Sequence, residues 1–277
     1  MRGSIDVADG SVSQLVWAAD APPLHFAHAN GFNAETYRGL LEPLGGALRI
    51  AASDARGHGF TRLPATPGLA RGWTVFRDDL DRIVPDGTIL AGHSMGATAS
   101  LMLAALKPEK VRALVLVEPV LVPKGVVPGD NDLARRAEKR RDNFASLDEA
   151  FALYRGRGAF RTWPDETLRD YLRGGLEPTQ DGVRLSCRPA WEAEDFRSTP
   201  PGVSELAAQL RCPVTLIHAA DGTASPGEVE IFKRLYPATR VVAVPGATHF
   251  LPMEFPELVR EEISRLNVMA RECGPPR

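Results

Sequence analysis

Short apolar runs rich in β-branched residues recur along the chain, with helical stretches between them. The runs are Val12–Trp17, Leu24–His28, Leu48–Ser53, Thr88–Gly92, Val111–Val117, Val214–His218 and Arg240–Val244. Several are apolar almost without interruption, as a strand must be when both faces of its sheet are covered. Between them lie patterns such as Met95–Lys107, rich in Ala and Leu and stopped by Pro108. This alternation predicts an α/β fold with a mostly parallel central sheet, flanking helices and right-handed crossovers.

The alternation lapses between about Val122 and Leu210. Pro123, Gly125, Pro128 and Gly129 open this stretch, and Pro200, Pro201 and Gly202 close it. Inside, the pattern is helical and shows no buried-strand run. We expect a helical cap (122–210) inserted into a core built from 1–121 and 211–277. A length of 277 residues suits one large domain carrying such an insertion.

Charge and cysteine usage exclude several functions. Lys and Arg number 33 against 35 Asp and Glu, so no nucleic-acid partner is expected. The longest apolar stretch, Ala113–Val117, is cut by Glu118 and Pro119, which argues against a membrane span. Cys187, Cys212 and Cys273 are far apart and lack metal-ligand spacing. With no apolar leader at the start, they point to a cytoplasmic, metal-free protein. The first residues and the closing Gly-Pro-Pro-Arg are expected to fray.

The segment Gly92-His93-Ser94-Met95-Gly96 follows an apolar strand and opens a helix. A serine on such a turn is held in strained geometry with its hydroxyl above the sheet, and small residues two before and two after make the turn possible. The helix starting at Met95 aims amide N–H groups at developing negative charge. Ser94 is therefore the candidate nucleophile. The loop Ala29-Asn30-Gly31-Phe32 can place a second amide opposite that helix, so Phe32 and Met95 are the candidate oxyanion donors, with Asn33 next if the register slips. Each such donor contributes about 3–4 kcal/mol to a transition state.

A serine needs a base. Of the six histidines, His25 sits mid-strand and His93 should point away from Ser94. His28 and His218 stand at strand ends and could line the site. His249 follows the last strand in Pro245-Gly246-Ala247-Thr248-His249-Phe250, on the same rim as Ser94, and is the candidate base.

Four segments, HANGF (28–32), DARGHG (54–59), GHSMG (92–96) and PGATHFLPME (245–254), together resemble the α/β-hydrolase superfamily in its lid-bearing esterase and lactonase branch. The resemblance covers nearly the whole chain outside the cap. It implies an eight-stranded sheet, a serine nucleophile and no cofactor. Asp54, Arg56 and His58 match a family loop that braces the active-site entrance, a structural role.

The acid departs from the family pattern. Most members carry an aspartate after the penultimate strand, but here the stretch is His218-Ala219-Ala220-Asp221-Gly222-Thr223. Asp221 could serve if the loop is one residue shorter. Glu118, at the end of the strand after the nucleophile helix, matches the glutamate of haloalkane dehalogenases and fungal zearalenone lactonases. A carboxylate there is costly without a partner. Glu118 is preferred and Asp221 is the alternative.

In the cap, Leu133–Asp142 carries a basic run, read as a solvated helix face. Of the cap aromatics, Trp163 and Trp191 are the candidates for the pocket wall. The expected function is hydrolysis of a small-molecule carboxylic ester or lactone through an acyl-enzyme. A perhydrolase (haloperoxidase-like), a carbon–carbon bond hydrolase and a non-catalytic ligand receptor remain alternatives, since fold alone does not choose among them.

Overall fold

Burial separates the central strands from the edges. In the computed structural model, which describes residues 1–66, 68–220, 222 and 224–272, every residue of β5 (Thr88–His93) and β10 (Val214–Ala219) is buried. Asp221 and Cys273 lie outside the described residues. The other core strands are β1 (Arg2–Val7), β2 (Gly10–Trp17), β3 (Pro23–Ala27), β4 (Arg49–Ser53), β6 (Val111–Val117) and β11 (Arg240–Val244). They form one eight-stranded sheet in the order β1-β2-β4-β3-β5-β6-β10-β11. Pairing is parallel from β4 to β11, and β2 runs antiparallel to both its neighbours.

Alternation along each strand builds two apolar layers. Ile89, Val115 and Ile217 face one side, packed with Leu40 and Leu41 of α1 (Arg38–Leu41) and with Val259 and Ile263 of α10 (Pro256–Glu272). Leu90, Leu114, Leu116 and Leu216 face the other. There they meet α2 (Thr74–Ile83), α3 (Met95–Leu106) and α8 (Pro226–Leu235) through Phe76, Leu101 and Phe232. A short helix, α9 (Leu251–Glu254), precedes α10.

The opening residues do not fray. Arg2–Val7 is the edge strand β1, zipped to β2 in register from Arg2↔Leu15 to Val7↔Gly10. Its sequence hides this, because an edge strand alternates polar and half-buried residues and has no apolar run.

Segment 122–210 holds α4 (Asp132–Glu138), α5 (Leu147–Tyr154), α6 (Asp165–Gly175) and α7 (Pro189–Arg197). It also holds a small antiparallel sheet, β7 (Asn143–Phe144), β8 (Leu176–Thr179) and β9 (Gly182–Leu185), which the helical expectation missed. The hairpin turns at Gln180-Asp181 before Gly182, a Gly-assisted turn between strands too polar to read as buried. The two stalks of the segment meet where Gly202 N–H donates to Val122 O at 2.7 Å. No helix among the described residues is long and apolar enough to cross a membrane.

Candidate active site

Between β5 and α3 stands Ser94 alone, with φ 54° and ψ −118°. A residue bearing a Cβ adopts this backbone only where its surroundings hold it. Here Ser94 N–H donates to Val117 O of the neighbouring strand, and Ser94 O accepts from Thr98 N–H, both at 3.0 Å. The flanking glycines are steric necessities. A Cβ on Gly92 would fall 2.6 Å from the backbone of Gly96 and Ala97, and one on Gly96 would collide with the carbonyls of Ala27 and His28.

Ser94 Oγ lies 3.0 Å from His249 Nε2, and His249 Nδ1 lies 3.0 Å from Glu118 Oε2. An acceptor at Nδ1 fixes the proton there and leaves the Nε2 lone pair facing the hydroxyl. Glu118 is fully buried at the end of β6, with φ 49°. Its second oxygen accepts from Ala219 N–H at 2.5 Å. The returning loop packs on the same carboxylate, and a side chain at position 222 would strike it, so Gly222 keeps that space open. The structure thus brings Ser94, His249 and Glu118 into one line.

The amides expected to face an oxyanion differ in state. In α3 the first intrahelical bond is that of Thr98, so Met95 N–H has no intrahelical acceptor. Phe32 N–H closes a turn onto Ala29 O at 3.1 Å, with Gly31 at φ 74°. Gly31 N–H donates to His58 Nε2 at 3.0 Å, and His58 Nδ1–H donates to Arg56 O at 2.9 Å. Burial, reinforced by nearby His28, pushes His58 down to about 3, which keeps it neutral and able to accept.

Other expected site residues are occupied elsewhere. His28 donates from Nδ1 to Ala29 O and accepts at Nε2 from Ala55 N–H, so both ring nitrogens serve the backbone. His218 is engaged with Ala219 O and His25 with Ser53 Oγ. Asn33 caps Thr36 and donates to Tyr171 O. Asp54 accepts from Ala34 N–H and Phe60 N–H, and Arg56 makes a forked pair with Asp79.

Trp191 lies against Gly57 of the 54–59 loop and donates from its indole to Arg56 O at 3.1 Å. Asn30 Nδ2 reaches Glu192 O and Trp73 Nε1 reaches Asp195 O, so α7 is fastened over both loops that carry the site. Trp191→Phe should lower stability by about 1 kcal/mol, because it removes one hydrogen bond while Arg56 O keeps the one from His58 Nδ1–H. The urea midpoint would show it, and an unmoved midpoint would mean the bond contributes nothing.

Trp163 stands beside the site. Its ring centroid is 5.2 Å from that of Phe32 and 5.8 Å from that of Phe250, which follows His249. Its buried indole N–H has no acceptor among the described residues. A cavity of about 190 Å³ next to the Phe32 turn is lined by Gly31, Phe32, Arg140, Tyr171, Leu185 and Cys187. A larger one, about 410 Å³, lies beneath α2 and α3 beside Met95 and does not include Ser94.

Arg140 corrects the reading of the basic run. α4 ends at Glu138, and Arg140 turns inward to pair with Glu192 at 3.0 Å and to bond the Tyr171 hydroxyl, while Arg135 stays solvated. Sequence reasoning also missed Glu254, although it lies in the quoted PGATHFLPME segment. Its carboxylate accepts from Thr248 N–H and Oγ–H at 2.7 Å and from Thr162 Oγ–H at 2.6 Å, holding the loop before His249 to segment 122–210. No cluster of three or more His, Cys, Asp or Glu able to hold a metal occurs among the described residues.

The chain is similar to 2-(acetamidomethylene)succinate hydrolase of Mesorhizobium japonicum, 26% identical over 245 residues, covering 88% of this chain and 87% of that one. It is equally similar to a pimeloyl-[acyl-carrier protein] methyl ester esterase of Nitrosomonas europaea, 26% over 245 residues, covering 86% and 92%. The crystal structure of E-2-(acetamidomethylene)succinate hydrolase superposes with a TM-score of 0.82 at 24% identity, over 96% of this chain and 98% of that one, which speaks for the fold. The sequence profile described as alpha/beta hydrolase family matches residues 26–262. With that match running from β3 into α10, the chain belongs to the α/β hydrolase family.

Proposed function

We propose that this chain is a cofactor-free serine hydrolase that cleaves a small carboxylic ester or lactone through an acyl-enzyme. The observation that carries this is the unbroken line from Glu118 Oε2 through both nitrogens of His249 to Ser94 Oγ, each step 3.0 Å. Ser94 Oγ attacks the carbonyl carbon as His249 Nε2 takes its proton. Glu118 holds the imidazole and balances its charge. Met95 N–H receives the oxyanion, and Phe32 N–H joins by sharing its bond to Ala29 O. His249 then protonates the leaving oxygen, a water enters, and the same base activates it to release the acid.

Segment 122–210 acts as the cap over this site. Trp163 walls the pocket and offers its unused N–H to a polar atom of the substrate, while Trp191 fastens the cap. The free, buried thiols of Cys187 and Cys212 favour a reducing cytoplasm.

A fluorophosphonate probe should add covalently to Ser94, with the mass shift mapped to its peptide. Folded protein without that shift would refute the nucleophile. Turnover of p-nitrophenyl esters, lactones, β-diketones and 2-(acetamidomethylene)succinate, with and without peroxide, then identifies the bond cleaved.

A further inference from the structure

We propose that His93 and Tyr37 are positioning residues that tie the loop of the base to the oxyanion turn through a single directed chain of hydrogen bonds. The proposal rests on the serine-hydrolase reading above.

The direction of the chain is forced by its ends. His93 Nε2 is 2.7 Å from His249 O, and a carbonyl only accepts, so Nε2 carries the proton. His93 is fully buried, and a neutral ring protonated at Nε2 accepts at Nδ1. Tyr37 Oη lies 2.7 Å from Nδ1 and so donates to it. The phenol oxygen in turn accepts from Ala29 N–H at 3.2 Å. Ala29 O is the acceptor that closes the turn of Phe32. Ala29 N–H, Tyr37 O–H, His93 N–H and His249 O thus form one sequence without a break.

Its two ends are the segments that must agree in position: the turn presenting Phe32 and the backbone carrying the base. The same two segments also meet where the rings of Phe32 and Phe250 stack, with centroids 6.2 Å apart. His93 belongs to β5, immediately before Ser94, and its ring centroid lies 5.0 Å from that of His249. It sets the His249 carbonyl, and with it the reach of Nε2 to Ser94. Burial holds His93 well below its ordinary value and Tyr37 well above, so neither charge state changes during turnover.

The test uses the whole chain and reads the rate of fluorophosphonate addition to Ser94, together with kcat and KM on a p-nitrophenyl ester. H93L should slow addition and kcat about 30- to 100-fold with KM within about twofold, the size of effect an ångström of misplacement produces. H93Q keeps an N–H near the Nε2 position and should recover to within about fivefold of wild type. Y37F should lose about five- to tenfold, since it removes the Nδ1 partner and leaves the ring less fixed.

A folded H93L within about threefold of wild type would overturn the proposal, as would H93Q no better than H93L, or a loss that falls on KM. If H93L does not fold, Y37F decides alone: activity within about twofold of wild type sinks the proposal. Failure of wild-type protein to label at Ser94 would instead sink the serine-hydrolase reading itself, and this inference with it.

Discussion

E118Q should lower kcat by about 10⁴-fold, leave KM within a few-fold and leave the protein folded. The size follows from replacing a triad carboxylate by its amide, which keeps the shape and gives the histidine the wrong tautomer. Glu118 accepts at both oxygens, from Ala219 N–H and from His249 Nδ1–H. A glutamine can keep the first bond through its carbonyl oxygen. It then turns an N–H toward Nδ1, which must become the acceptor, and the proton moves to Nε2. Ser94 then faces a donor where it needs a base. Stopped-flow hydrolysis by E118Q and D221N separates the two acids. A nearly silent E118Q with a crippled D221N would move the role to Asp221.

The second large effect concerns acid. Burial pushes His25 and His28 down to about 4 and His58 to about 3, and lowers His93 as well. In the unfolded chain they titrate near 6.5. Below that pH the unfolded chain therefore binds protons that the folded one refuses, so stability is present above about pH 6.5 and is lost as pH falls toward the folded values. Asp195 acts with the opposite sign: burial and the neighbouring Glu192 raise it, so its proton is held better when folded. Asp54, Asp79 and Asp170, also raised by burial, act in the same sense as Asp195. The histidine contribution of about 1.4 kcal/mol per proton and pH unit is thus partly offset, and the net loss between pH 7 and 5.5 is on the order of a few kcal/mol. Calorimetry should find Tm lower by about 5 °C at pH 5.5 than at pH 7. A flat Tm over that range would mean that these rings take up protons without unfolding.

Legibility followed local chemistry. The runs that became β5, β6 and β10 were plain because continuous apolar character is what a strand covered on both faces requires. The meeting of Ser94, Glu118 and His249 was legible as well, since all three follow strand ends on one rim. β1 was not, because an edge strand has no need of an apolar run. Arg140 was misread inside a basic run, where one side chain turns inward to Glu192 and two tyrosines while Arg135 stays solvated. Tyr37 and Glu254 escaped for another reason. Their roles are contacts with His93 and with Thr162, residues distant in sequence, and no periodicity carries such a pairing. The state of Phe32 N–H was equally hidden, because a turn bond at 3.1 Å leaves no trace in residue types.

Serine and glutamate both sit on the frame of the sheet. β5 and β6 are paired as far as His93↔Val117, and the next residue on each strand is Ser94 and Glu118. Their spacing is thereby set by two paired, buried central strands, while the imidazole arrives on a loop tethered by Glu254 and His93. Any loosening from heat or from a weakened tether will therefore be felt at the histidine first, and catalytic power will fade before the rest of the architecture yields.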